Sequence, residues 1–289
     1  MSGYSVHLVD GTFELFRCFH GAPRVRTDDG REVGAVRGLL ATLVSLLGQP
    51  EVTHVAVAFD SVVAPPPVRG RQTDEVLIAS QAGLAASAVR ALGLTVWPTG
   101  RYQADEMIAT AASRFAGDVS VRQVVICSND KDFHQCVRGE RVVCLDRVRK
   151  VLTDEAGVRA KYGVVPQQIP DLFALVGDRS DGLPGVPGWG TTSAAALLQR
   201  YGTLAEIPLD EHSWDITVRG AARLAAALRE HRDEALLCRD LSELRTDLPL
   251  RQNAAQLEWL GARRGLLEDL CSRIGDDSVL SRIEHVRRV

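Results

Sequence analysis

Lysine is nearly missing from this chain. Of 34 basic residues only Lys131, Lys150 and Lys161 are lysine, and the rest are arginine. Arginine suits bidentate contact with phosphate, but alanine is abundant too, so genome composition is the simpler account of the bias. Excess positive charge is also missing. The net charge is −3, which argues against bulk coating of a polyanion while leaving room for local basic patches. No run of about 18 apolar residues occurs, so no membrane-spanning helix is expected. The start, MSGYSVHLVDG, lacks a basic segment followed by an apolar core. No secretion signal is therefore expected, and the cytoplasm is the expected location. No C-x-x-C pair occurs among Cys18, Cys127, Cys136, Cys144, Cys238 and Cys271, which speaks against a zinc ribbon. An intracellular chain of this size needs no disulfides, so these thiols are expected to be reduced and mostly buried.

What is present is ordinary globular material: 289 residues, 45% hydrophobic and 25% charged. At roughly 150 residues per domain that is one large or two modest domains. The first half alternates β-branched runs with helical stretches. Val6 to Val9 ends in Asp10, Val55 to Phe59 in Asp60, Val124 to Cys127 in Ser128-Asn129-Asp130, and Val142 to Leu145 in Asp146. Such runs read as buried strands, with helices at Val36 to Leu47 and Leu84 to Leu92 between them. The alternation predicts an α/β domain with a mostly parallel sheet flanked by helices. Past about residue 165 strand-like runs disappear. Ile169 to Val176 and Thr192 to Tyr201 read as helices around a glycine-rich loop, and 216 to 244 is rich in helix formers. The expected organisation is an α/β domain over 1–165, a small all-α domain over 166–250 and a tail over 251–289, expected to be helical. The segment 61–72, with Pro65-Pro66-Pro67 and Gly70, is the expected mobile loop.

In open parallel sheets ligands bind beyond the carboxyl ends of the strands. Asp10, Asp60 and Asp130 each end a predicted strand, and Asp132 follows. Gln103, Asp105 and Glu106 open an apolar helix, and Asp178 and Asp181 lie in Gly177-Asp178-Arg179-Ser180-Asp181-Gly182. One such acid is usually a turn or cap residue. Seven or eight acids converging on one edge would repel each other unless a cation neutralised them. An all-oxygen set suits Mg²⁺ or Mn²⁺. Two such ions roughly 4 Å apart would activate water and stabilise the leaving oxygen in phosphodiester hydrolysis. Gly185-Val186-Pro187-Gly188-Trp189-Gly190 sits between two predicted helices. Its exposed backbone amides could bind phosphate without reading sequence.

Taken in order, Leu8-Val9-Asp10-Gly11, Phe16-Arg17-Cys18-Phe19-His20, Ala58-Phe59-Asp60, Tyr102 to Glu106, Asn129 to Asp132 and Gly177 to Gly190 resemble the 5′→3′ exonuclease and flap endonuclease family. The resemblance covers about residues 4 to 250. It implies a PIN-like core, a helix–hairpin–helix module and two divalent metals. Asp10, Asp60 and Asp105 match one metal site, with Gln103 beside them. Asp130, Asp132 and Asp181 match the other, with Asp178 and Glu106 nearby. The family's hairpin also holds a monovalent cation, often K⁺, which would fall at Val186, Gly188 and their neighbours. Arg17, His20 and Lys131 match positions that could meet phosphates or buttress the site, and Lys131 could equally stand exposed between two acids. Gly185, Gly190, Trp189, Thr191 and Thr192 complete the expected DNA contact.

Three departures stand out. Gln103 replaces a usual Glu, which removes a formal charge at the first metal. Residues 61 to 83 are short, proline-rich and without the family's Tyr-Lys-x-x-Arg cluster, so that only Arg69 and Arg71 could substitute. Thr192 stands where a phosphate-binding lysine is usual, and each lost contact weakens binding and flattens its salt dependence. The resemblance therefore implies a monomeric metal-dependent nuclease acting on DNA with a 5′ end, flap or branch. The alternatives are a branched-DNA-binding relative with little or no catalysis, and a PIN-like ribonuclease.

Overall fold

The computed structural model describes residues 3–60, 73–98, 100, 102–283 and 286–287. The expected mobile segment 61–72, with Arg69 and Arg71, lies outside the described residues. The chain forms two compact units that are not contiguous in sequence. One comprises residues 1–129, 145–147 and 245–289; the other comprises 130–144 and 148–244.

In the first unit, β1 (Tyr4–Asp10), β2 (His54–Phe59), β3 (Thr95–Pro98) and β4 (Val121–Cys127) run parallel in the order β3-β2-β1-β4. Every residue of β2 and all but the first of β1 are buried. That explains their unbroken apolar character, since strands covered on both faces do not alternate. The helices are α1 (Gly11–Gly21), α2 (Gly34–Leu47), α3 (Asp74–Ala91) and α4 (Ala104–Ala116). α2 buries Leu39, Leu40, Leu43 and Leu47 at helical spacing but has no capping side chain of its own. Oε1 of the buried Gln81 on α3 supplies the missing acceptor, taking the Ala35 N–H at 3.1 Å.

Several elements differ from the sequence reading. α3 begins ten residues before the expected Leu84, because Thr73 caps it and Asp74 and Glu75 complement its dipole. β3 is a short edge strand ending in proline and gave no run to read. The tail from 251 is only partly helical. It holds a short 3₁₀ turn (Ala254–Leu257), β7 (Ala262–Arg263), the helix α9 (Arg264–Ile274) and β8 (Val286–Arg287). It is tied into the first unit by Trp259, whose backbone N–H reaches the Thr53 carbonyl at 2.7 Å and whose indole reaches the Leu92 carbonyl at 2.8 Å. No helix among the described residues is long and apolar enough to cross a membrane. All six cysteines are free, five of them buried.

The second unit contains a 3₁₀ turn (Lys131–Cys136), β6 (Val151–Thr153), α5 (Glu155–Tyr162), α6 (Ile169–Val176), α7 (Thr191–Tyr201) and α8 (Ala221–Ser242). β5 (Val142–Asp146) is divided, its last two residues belonging to the first unit. Phe133, Leu172, Leu175, Leu197, Leu198, Leu224 and Leu228 fill this unit's core. The helical run expected over 216–244 is α8, with a break in helical geometry at His231. α6 stops at Gly177, whose φ of +85° is open to glycine but costly for other residues. Gly185, at φ +70°, then passes directly over it; a β-carbon there would meet the Val176 carbonyl carbon at 2.6 Å.

Candidate functional site

At the carboxyl edge of the first unit's sheet, each acid is held by the element that follows its strand. Asp10 ends β1 and caps α1, taking the Phe13 N–H at 2.9 Å on Oδ1 and the Ser128 hydroxyl at 3.3 Å on Oδ2. Asp60 follows β2. Its N–H donates to Thr12 Oγ1 at 2.8 Å, and its Oδ1 takes the Ala104 N–H at 2.6 Å at the start of α4. Because Asp10 pairs in register with Ala58, both acids lie at the same end of the sheet. Asp105 takes the N–H of Glu106 at 2.6 Å, and Glu106 folds back onto the N–H of Gln103 at 3.1 Å. Asp10, Asp60 and Asp105 thus share an edge. They are not among the acid groups whose oxygens approach within 4.8 Å of one another in the described residues. Glu106, expected near the second metal, closes the capping box at the start of α4.

The second unit does gather carboxylates. Oxygens of Asp132, Asp178 and Asp181 all lie within 4.8 Å of one another. Asp178 is a member of this group rather than a neighbour of it. Asp130 caps the turn just before, its Oδ1 taking the Asp132 N–H at 3.0 Å. Asp178 and Leu183 exchange backbone hydrogen bonds at 2.9 and 2.8 Å, making a tight turn that carries Ser180 and Asp181. Oδ1 of Asp178 takes the N–H and the hydroxyl of Ser180 at 3.0 and 2.7 Å.

The electrostatics follow from this crowding. Burial, then Asp130, Asp181 and Asp178, push Asp132 up to about 7. Burial alone would also raise Asp178, but hydrogen bonds from Lys131 and Ser180 outweigh it and hold that carboxyl at about 2. Asp181 is raised by burial and by Asp178. Lys131 was expected to meet phosphate or buttress the site, or else to stand exposed between two acids. Its ammonium contacts Asp178, Asp181 and Ser180. Ser180 was not singled out from the sequence, though its place two residues after an aspartate is the signature of such a turn.

Other expected contacts sort by burial. Arg17 is half-buried and paired with the buried Glu14, which also holds Arg147 at 3.2 Å. Its guanidinium pairs with Glu14 within the first unit, and about a third of the side chain stays exposed. His20 is exposed at the end of α1, edge-on to Phe16 at 4.5 Å. In the hairpin, Gly188, Gly190, Thr191 and Thr192 are exposed and Val186 is buried. Trp189, expected at DNA, is buried as well. Its indole donates to the Leu224 carbonyl at 3.1 Å and meets the Trp214 ring edge-on at 6.4 Å. The ring therefore anchors the loop, a correction to its expected role. The loop's added cation is Arg223 on α8, whose exposed guanidinium lies 3.4 Å from the place of a β-carbon on Gly188. It stands 35 residues along the chain from the hairpin, and no local pattern signals it.

The model of a 5′-3′ exonuclease N-terminal resolvase-like domain matches residues 5–163, and that of a 5′-3′ exonuclease C-terminal SAM fold matches residues 164–264. The chain belongs to the 5′-3′ exonuclease family. DNA polymerase I of Bacillus caldotenax is 32% identical over 291 residues, which cover 96% of this chain and 32% of the polymerase. DNA polymerase I of Pseudomonas aeruginosa is 37% identical over 262 residues, covering 86% and 28%. This family member thus spans about a third of the length of those relatives. T5 5′-exonuclease with divalent metal ions (zinc) bound shares its fold at a TM-score of 0.66 and 14% identity, covering 96% of each chain. The catalytic core of Rad2 in complex with DNA substrate does so at 0.61 and 15%, covering 96% of this chain and 92% of the other. The sequence reading of fold and family is borne out.

Proposed function

We propose that this member of the exonuclease family hydrolyses DNA phosphodiesters near a 5′ end, flap or branch, using divalent metal. The observation that carries the reading is the group of Asp132, Asp178 and Asp181, three acids with oxygens within 4.8 Å of one another. Three carboxylates so placed make a hard, all-oxygen donor set, which fits Mg²⁺ or Mn²⁺. Such an ion, when bound, lowers the pKa of water and neutralises charge at the leaving oxygen. Asp178, held ionised at about 2, is ready to ligate. Asp132 must first release its proton. Asp10, Asp60 and Asp105 are the proposed second set; a carboxylate that accepts one backbone N–H keeps acceptor capacity for a metal and is oriented by that bond. The hairpin would hold the duplex through the exposed amides at the start of α7 and through Arg223, with K⁺ near Val186 and Gly188 as the matching cation.

The test is a labelled 5′-flap DNA incubated with Mg²⁺, Mn²⁺ or EDTA, beside Asp132→Ala. Metal-dependent cleavage that vanishes in the variant is expected; cleavage that survives the substitution sinks the assigned site.

A second reading rests on the first set of acids. Gln103 brings no charge beside them, and Thr192 stands at the hairpin where a lysine would add one. This favours a branched-DNA-binding relative with weak catalysis. Tight flap binding without turnover, and turnover restored by Gln103→Glu, would establish it.

A further inference from the structure

Lys131 is the cation of the second unit's acid cluster. Its Nζ pairs with Asp178, lies 3.4 Å from Asp181 and bonds the Ser180 hydroxyl, with the Phe173 ring 5.6 Å behind it. The Asp178 side chain is only 6% exposed. Its Oδ2 is buried and is the oxygen that the ammonium pairs with. An ammonium bridging Asp178 and Asp181 sits on two of the three carboxylates that group with Asp132.

We propose that Lys131 is a built-in competitor for divalent metal at Asp132, Asp178 and Asp181, and so sets the metal concentration at which that site fills. The inference rests on the reading of these acids as metal ligands. Without metal, the lysine neutralises part of a charge that would otherwise be left buried. When a divalent ion enters, two like charges cannot share the same carboxylates, and the ammonium must leave. The four-carbon stem allows that movement, and lysine's compact charge mimics a point cation better than a guanidinium fork does. Lys131 is thus a positioning residue, and its removal should tighten metal binding rather than weaken it.

The experiment titrates Mn²⁺ alone into the full chain, reading free Mn²⁺ by electron paramagnetic resonance, for wild type, Lys131→Met and Asp178→Asn. Lys131→Met is expected to lower the dissociation constant of the Asp178-dependent site by about tenfold or more. Unchanged or weaker binding in folded Lys131→Met overturns the competition while leaving the metal site standing. If wild type shows no Mn²⁺ binding that Asp178→Asn removes, the metal reading falls and the competition with it. A measurement on the wild type guards against a variant that does not fold. Because there are only three lysines, reductive methylation with ¹³C-formaldehyde gives three lysine signals, and Lys150→Arg and Lys161→Arg assign them. The Lys131 signal is expected to shift on saturation with Mg²⁺. A signal that stays put under saturating Mg²⁺ overturns the proposal.

Discussion

The carboxylate of Asp60 accepts the backbone N–H of Ala104 at 2.6 Å. One side chain therefore joins the carboxyl end of β2 to the amino end of α4, where a backbone donor has no partner within the helix. Asp60→Ala should cost about 1–2 kcal/mol, the usual loss for a helix-end acceptor. Asp60→Asn keeps an acceptor oxygen and should stay within about 1 kcal/mol of wild type. If Asp60 also binds metal, both variants lose flap cleavage. Urea unfolding beside a cleavage assay separates the roles, and an Asn variant with full activity removes Asp60 from the metal set.

Arg223 stands beside Gly188 in a hairpin that has Thr192 where the resemblance implies a lysine. Arg223→Ala is expected to weaken duplex binding and to lower the slope of log affinity against log salt by about one phosphate contact, near 0.9. Fluorescence anisotropy at several salt concentrations reads both. An unchanged slope would mean that this arginine meets no phosphate.

Gly185→Ala should be among the most destabilising single changes in the second unit. The new β-carbon would run into the backbone of Val176 and Gly177, which cannot move aside as a side chain can, and φ is +70°. A loss of more than about 2 kcal/mol is expected. Gly182 also has a positive φ, but open space surrounds its β-carbon position. Gly182→Ala should cost only about 1 kcal/mol. Thermal unfolding of the two variants gives the comparison.

Stability should depend on pH through two opposed trends. Burial lowers His7 and His134 to about 4, with nearby arginine or lysine assisting. The unfolded chain binds those protons first, so this stability is present above about 6.5 and lost as pH falls toward 4. Asp132, raised to about 7 by burial and its neighbouring acids, behaves in the opposite sense. The folded chain keeps a proton that the unfolded chain has released, so stability falls as pH rises from about 4 to 7. In metal-free buffer, Asp132→Asn should steepen the net rise of stability over that range by at most about 1.4 kcal/mol per pH unit. Unfolding midpoints across the range test it, and an unchanged profile would show that Asp132 is not perturbed.

Much of the fold was legible because burial on both faces writes unbroken β-branched runs, as in His54–Phe59. Ile169–Val176 was equally plain, bounded by Pro170 and Gly177. β3 escaped because four residues ending in proline carry no period. The start of α3 escaped because Val76-Leu77-Ile78 is an unbroken apolar run with no helical spacing of its own. At the site, the acids could be named from their positions at strand ends and turns, but not what each would hold. Asp178 looked peripheral until its turn with Leu183 placed it beside Asp132. Trp189 was expected at DNA, but its ring is buried against Trp214. Arg223 had no local signal, since only the packing of α8 brings it to the hairpin.

The four tryptophans fall two to each unit: Trp97 and Trp259 in the first, Trp189 and Trp214 in the second. Each pair is tied to its own unit, Trp259 by the Leu92 carbonyl and Trp189 by the Leu224 carbonyl. The molecule thus carries a separate intrinsic chromophore for each half. Replacing one pair with phenylalanine would leave an emission spectrum that watches a single unit melt, and the hairpin's own anchor would be the lamp by which its loosening is seen.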